Sequence, residues 1–155
     1  MKKVMVETNR MNIYPLSLDR MDEVIKNEPD EEMKKAYGEM KEGCEKHPEQ
    51  YVWYAIWYME LKAGNIPVGD LCFKGLEENG SVEIGYGIKP EFEGQGLMTE
   101  AVVAMCQWAI KQEGVNCIEA ETDPDNRASQ RVLEKAGFLP NGVIGEEGPR
   151  FVWRG

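Results

Sequence analysis

The residues with the clearest chemical meaning are Glu93-Gly94-Gln95-Gly96-Leu97-Met98-Thr99. Two glycines so close together permit a tight turn and let a ligand approach the main chain. The run leads into an apolar-periodic stretch. Its N–H groups therefore stand at a helix start, with the positive end of the helix dipole behind them. Donors of that kind suit a phosphate or pyrophosphate, and the same glycines also serve a plain strand-to-helix turn. Two familiar phosphate loops do not fit. A nucleoside-triphosphate loop needs a lysine after the second glycine, where Leu97 stands. A dinucleotide fingerprint needs a third glycine where Thr99 stands, after a parallel strand, and the preceding strands read as hairpins.

Other reactive side chains are sparse. Cys44, Cys72, Cys106 and Cys117 are scattered, with no CxxC pair, and are expected to be reduced core residues. His47 is the only histidine and sits beside Pro48 in a polar stretch, as a solvated loop residue. Neither a zinc site of three or four ligands nor a Ser-His-Asp or Cys-His arrangement can be assembled around it, so no metal is expected. Glu83 lies on the strand face opposite Val82 and Ile84. It is either a proton acceptor or the polar member of an alternating strand.

The elements that must position these groups follow from periodicity. Lys2 to Glu7 alternates weakly, as an edge strand. Ser17 caps a helix with Leu18, Met21 and Ile25 on one side, and Asp30 opens a second through Met33, Tyr37, Met40 and Cys44. Tyr51 to Leu61, dense in aromatic and apolar residues, reads as a strand; Trp53, Tyr54, Trp57 and Tyr58 either pack the core or line an acceptor groove. Ile66 to Phe73 and Ser81 to Ile88 complete an antiparallel meander. Leu97, Ala101, Met105 and Trp108 then recur at helical spacing. Cys117 to Glu121 is strand-like, a helix follows Asn126 and closes at Gly137, and Phe138 to Ile144 and Phe151 to Trp153 are the last strands. This order implies one α+β domain over residues 1–155, a mixed and mostly antiparallel sheet of about six or seven strands with about four helices packed on it.

The 155 residues carry 18 basic and 28 acidic side chains, a formal charge of −10. That field repels nucleic acid. No run approaches ~18 apolar residues, so no membrane span is expected. The amino terminus turns acidic at Glu7 before a signal-like stretch forms, and a cytoplasmic protein is the expectation.

Taken together, these runs resemble the GNAT superfamily of acyl-CoA-dependent N-acyltransferases, whose signature is Gln/Arg-x-x-Gly-x-Gly/Ala on the loop entering the central helix. Here the aligned run is Glu93-Gly94-Gln95-Gly96-Leu97-Met98, preceded by Ile84-Gly85-Tyr86-Gly87-Ile88 and followed by Thr99-Glu100-Ala101. The block Asn126-Arg127-Ala128-Ser129-Gln130-Arg131-Val132-Leu133-Glu134-Lys135-Ala136-Gly137-Phe138 looks like the family's second signature. The pattern is most similar to the branch containing ribosomal-protein alanine N-acetyltransferases. Glu93 and Met98 depart from the signature, and Leu133 replaces a tyrosine that serves some members as general acid.

The resemblance implies transfer of an acetyl group from acetyl-CoA, as co-substrate, to a primary amine. The backbone of Glu93, Gly94, Gln95, Gly96, Leu97 and Met98, with the Thr99 hydroxyl, would hold the coenzyme A pyrophosphate. Gly87 and Ile88 would pair with the pantetheine arm and help polarise the thioester. Asn126 would bond the pantetheine or a water, with Ser129 and Arg131 assisting, Arg131 being equally readable as a solvated helix residue. Glu83 would be the base, and Glu146 and Glu147 either attract a cationic amine or stay solvated. The acceptor is a protein amino terminus, amino acid, polyamine or aminoglycoside, and the protein a monomer or homodimer. The alternative is a non-catalytic acyl-CoA-binding protein with a degraded site.

Overall fold

Three of the four α-helices begin where a side chain supplies an acceptor for the first amides. The Ser17 hydroxyl accepts from Arg20 N at the start of α1 (Leu18–Asn27), and Asp30 accepts from Glu32 and Met33 at the start of α2 (Glu31–Lys46). Asn126 does the same for α4 (Arg127–Ala136), accepting from Ser129, and Gly137 at φ 98° closes that helix in the left-handed region. Only α3 (Leu97–Ile110) starts without a side-chain cap, at Gly96.

The computed structural model describes residues 4–155. Eight strands form one sheet: β1 (Val6–Glu7), β2 (Met11–Pro15), β3 (Ile56–Leu61), β4 (Ile66–Leu76), β5 (Ser81–Ile88), β6 (Cys117–Glu121), β7 (Leu139–Ile144) and β8 (Pro149–Trp153), in the order β1-β2-β3-β4-β5-β6-β8-β7. Every neighbouring pair is antiparallel except β5–β6. The mixed, mostly antiparallel α+β architecture is the one expected from the sequence.

Directly paired residues share a face of the sheet. Tyr14, Tyr58, Asp70 and Gly87 form one such row across β2 to β5. Helices α1 and α2 lie over this face: Arg20 of α1 sits 5.6 and 5.5 Å from the Tyr14 and Tyr58 ring centres, and Tyr37 of α2 reaches Asp70. The neighbouring row turns the other way and is covered by α3, where Trp57, Phe73 and Trp108 pack with ring centres 5.1 to 6.2 Å apart. Leu97, Ala101, Met105 and Ala109 of α3 are buried against the sheet.

The strand expected over Tyr51 to Leu61 starts only at Ile56. Residues Pro48–Trp53 instead form a 3-10 turn led by proline. Tertiary contacts override the local β preference: the Tyr51 hydroxyl donates to Leu16 O at 2.6 Å, and Trp53 packs on Phe73 and Trp108. Trp53 and Trp57 are core residues, while Tyr54 and Tyr58 are half-buried. Of the expected first strand, Val6–Glu7 pairs with β2, and residues 1–3 lie outside the described residues. Strand β2 itself was not anticipated. His47 caps the end of α2 and stacks on Tyr54 with centroids 4.8 Å apart, rather than standing in a solvated loop. All four cysteines are buried and free. Burial pushes the thiols of Cys44 and Cys106 up to about 12 and that of Cys72 to about 11.

Candidate active site

The sheet opens where its only parallel pair parts. β5 and β6 are in register only from Ser81–Cys117 to Glu83–Glu119, yet β5 runs on to Ile88. On its other edge β5 stays paired with β4 as far as Gly69–Ile88. The β6-facing edge beyond Glu83 thus borders a wedge, with amides and carbonyls turned into it. The carboxyl ends of β5 and β6 lead to the amino termini of α3 and α4, so both helix starts stand at the open end.

A 3-10 turn at Pro90–Phe92 carries β5 into the glycine loop. Gly94 and Gly96 both have φ 76°, a conformation that strains residues with a Cβ. A Cβ at Gly94 would project into open space. The Glu93 amide is committed to Pro90 O at 3.2 Å. From Gly94 to Thr99 no backbone N–H finds an acceptor among the described residues. Leu97 and Met98 are buried and anchor the first turn, while residues 93–96 are exposed and Thr99 is half-buried.

The loop is braced from the far edge of the sheet. Arg10, just before β2, donates from Nη1 to Gln95 O at 2.9 Å and from Nε to Glu100 Oε1 at 2.8 Å. The Thr8 hydroxyl and the Arg10 amide both donate to Glu100 Oε2, at 2.6 and 3.0 Å. Burial alone would raise the Glu100 pKa, but these donors outweigh it and hold the carboxyl below its usual range.

The side of the wedge facing α4 carries hydroxyls. Tyr86 Oη lies 2.8 Å from Ser129 Oγ. Asn126 Oδ1 is used as the α4 cap, which leaves its amide nitrogen for other partners. Arg131 is exposed, and Leu133 is fully buried, facing the core.

The opposite face of the sheet carries Glu83 on β5 and Asp70 on β4, two carboxylates with different surroundings. Glu83 is ion-paired on both oxygens, with Lys74 Nζ at 2.7 Å and Arg150 Nη2 at 2.9 Å. Arg150 also bridges Glu121 at 2.8 Å and Glu119 at 3.4 Å, joining β5, β6 and β8 at the closed end of the wedge. Burial opposes the Arg150 charge, yet the surrounding carboxylates raise its pKa. Among the described residues Asp70 faces no cation at contact distance; its Oδ2 accepts from the Tyr37 hydroxyl at 2.6 Å. Burial raises its pKa, and the Tyr37 bond opposes that rise. Beside Tyr58 lies a cleft of about 280 Å³ lined by Arg20, Glu23, Val24, Asn27, Glu28 and Tyr58. Glu146 and Glu147 are exposed in the β7–β8 turn, where the Glu147 amide donates to Glu121.

The wedge thus gathers Gly87, Ile88, the loop from Glu93 to Thr99, Asn126 and Ser129, with Glu83 at its closed end, on the face of β5 that Gly87 shares, and Arg131 turned to solvent. Arg10, Tyr37, Asp70 and Arg150 carried no local motif, and Tyr86 stood in the run before the glycine loop without a role of its own. Asp70 had one weak signal, as the lone acid in the apolar run Ile66 to Phe73. Among the described residues, no cluster of three His, Cys, Asp or Glu is arranged for a metal, and no helix is long and apolar enough to cross a membrane.

Comparison with known proteins agrees with this architecture. The uncharacterized N-acetyltransferase YjdG of Bacillus subtilis (strain 168) is 36% identical over 86 residues, covering 55% of this chain and 51% of YjdG. The chain spans about a third to a half of the length of the curated relatives it matches. Among solved structures, RimL, a ribosomal L7/L12 alpha-N-protein acetyltransferase in complex with coenzyme A, superposes with a TM-score of 0.77 at 14% identity, over 97% of this chain and 98% of RimL. A GNAT-family acetyltransferase from Bacillus anthracis gives 0.71 at 20% identity, over 97% of this chain and 98% of its own. At those identities the likeness is one of fold. The model of the acetyltransferase (GNAT) domain matches residues 8–139, a span that takes in the glycine loop, the wedge and the capped start of α4, and the chain therefore belongs to the GNAT family.

Proposed function

We propose that the protein transfers the acetyl group of acetyl-CoA to a primary amine. The observation that carries this reading is the uncapped, glycine-shaped start of α3 at the open end of a parted strand pair. Amides without acceptors and open space in front of Gly94 fit an anionic pyrophosphate. In this reading the donors from Gly94 to Thr99 hold the pyrophosphate, with the Glu93 amide left to its own turn. The free edge of β5 at Gly87 and Ile88 aligns the pantetheine and polarises the thioester carbonyl. The Asn126 amide and the Ser129 hydroxyl flank it, and Arg131 meets the outer part of the cofactor.

Acyl transfer then needs a neutral amine, a polarised carbonyl and close placement of the two. A lysine-like amine, with pKa ~10.4, must shed a proton before it attacks. The acceptor comes from the face covered by α1 and α2, where Glu23 and Glu28 line the cleft beside Tyr58. Those carboxylates and the overall −10 charge favour a cationic amine. Glu83, held by Lys74 and Arg150, steadies the closed end of the wedge.

Calorimetry with coenzyme A tests the reading on Gly96→Val, with a melting curve to establish folding. The left-handed φ at position 96 costs a substituted side chain about 1–2 kcal/mol, so the fold should survive while the loop loses its shape. Wild type should bind and the variant should not. Equal affinity in a folded variant would remove the loop from cofactor binding.

A further inference from the structure

The reacting edge of β5 has a bare face. Gly85 and Gly87 point toward the α1–α2 side, where a Cβ at 85 would meet Cys72 Sγ and Lys74 Cε only at 3.7 Å, and one at 87 would meet Asp70 Oδ1 only at 4.0 Å. Side chains would fit at both positions, and glycine at both leaves a trough. Glycine inside a strand weakens it and marks places where another molecule approaches closely. On the β4 side the trough is bordered by Asp70 and Cys72, which are the direct cross-strand partners of Gly87 and Gly85. The row continues outward through Tyr58, which lines the cleft beside α1.

We infer that Asp70, oriented by Tyr37, takes the proton that the acceptor amine sheds over the Gly85–Gly87 trough. This rests on the acetyl-transfer reading and names the base within it. Among the carboxylates on this face, Glu83 has both oxygens occupied by cations, at 2.7 and 2.9 Å, and Glu119 and Glu121 share the Arg150 guanidinium. Asp70 has one oxygen held by the Tyr37 hydroxyl and the other, Oδ1, directed toward the trough. The groups facing Asp70 are Tyr37 from α2, Glu28 just beyond α1, Tyr58 from β3 and Cys72 on β4, with Lys74 and Glu83 farther along the same face. Burial shifts Asp70 toward proton affinity, and the Tyr37 hydrogen bond keeps the carboxylate available. In the step, the nitrogen lone pair of the neutral amine bonds to the thioester carbon. The surplus proton on nitrogen passes to Asp70 Oδ1, directly or through one water. The carbon–sulfur pair leaves on sulfur as thiolate, which takes a proton from solvent, and Asp70 returns its own to solvent.

The test compares wild type with Asp70→Asn, Asp70→Glu, Tyr37→Phe and Glu83→Gln. Acetyl-CoA affinity is measured by calorimetry. Thiol release is followed across a pH series with two acceptors, spermidine and an alanyl tripeptide. Their amines titrate at different pH, so a low-pH limb common to both belongs to the enzyme. Asp70→Asn should bind acetyl-CoA as wild type does and melt no lower, because burial disfavours the charge it removes. Its kcat/KM should fall by about 10²-fold or more, and Asp70→Glu should recover part of that loss. Tyr37→Phe should move the low-pH limb to higher pH, since it removes the bond that favours the carboxylate. Glu83→Gln should leave the limb in place. A wild-type rate and profile for Asp70→Asn, or a limb that moves with Glu83→Gln instead, overturns the assignment. A wild type that binds no acetyl-CoA, or binds it and acetylates neither amine, overturns the underlying reading instead.

Discussion

Arg10 links the amino-terminal edge of the sheet to the loop expected to hold a pyrophosphate, and its removal is a measurable perturbation. Arg10→Ala deletes the ion pair with Glu100 at 2.8 Å and the bond to Gln95 O at 2.9 Å. It keeps the Arg10 amide and the Thr8 hydroxyl on Glu100. The two side chains are 40% and 22% exposed, so solvent screens the ion pair and its share is at most about 1 kcal/mol. The bond to the Gln95 carbonyl adds about 1 kcal/mol. Together the loss is about 1–2 kcal/mol, equivalent to a fall in Tm of about 2–8 °C for a chain of this size. If the brace is what holds the loop in its binding shape, that energy appears as a 5- to 30-fold rise in the coenzyme A Kd, by roughly tenfold per 1.4 kcal/mol. Arg10→Lys keeps the charge but not the fork, and should fall between. Calorimetry beside thermal melts separates the two effects. A variant that melts lower with an unchanged Kd would refute the argument. Gly94, Gly96 and the buried Leu97 and Met98 would then set the loop on their own.

Two further outcomes follow from the charged groups. Arg150→Met leaves Glu83, Glu119 and Glu121 facing one another without their shared cation, and should destabilise the fold by about 2–4 kcal/mol, read as a lower urea midpoint. Glu100 has a depressed pKa, so its contribution is present above its unfolded value and is lost as pH falls through the folded one. Coenzyme A affinity should therefore weaken on acidification below the ordinary carboxylate value of 4.5, and Glu100→Gln should show the weakened affinity already at neutral pH.

What could be read from the sequence was what neighbouring residues determine. The stripe of α3, the glycine turn before it, the break before α4 and the order of the β3–β5 meander are local patterns, and apart from the start of β3 each lies where its spacing put it. Strand β2 carried an alternating Met11-Asn12-Ile13-Tyr14 signal that is short and closed by a proline. The aromatic run from Tyr51 misled because β propensity describes a half-buried surface, and here the 3-10 turn is held by Leu16, Phe73 and Trp108. The partners of the site were less legible still. Tyr37 meets Asp70 across 33 positions and Arg10 meets Glu100 across 90, and no spacing rule joins residues so far apart. Glu83 could be placed on its face from alternation, but its two cations come from another strand and from the far end of the chain.

The four buried thiols give the molecule an internal set of reporters. They sit in α2, β4, α3 and β6, on both sides of the wedge, and no disulfide ties any of them. A thiol reacts with an alkylating reagent as its thiolate, and only when reagent can reach it, so each cysteine stays silent until its own element opens. Alkylation rates in native buffer are then a map of local opening, with Cys117 reporting on the paired, closed end of β5 and β6 and Cys106 on the buried side of α3. The same silence means that a single cysteine introduced on the surface would take a label without first removing any of the native four.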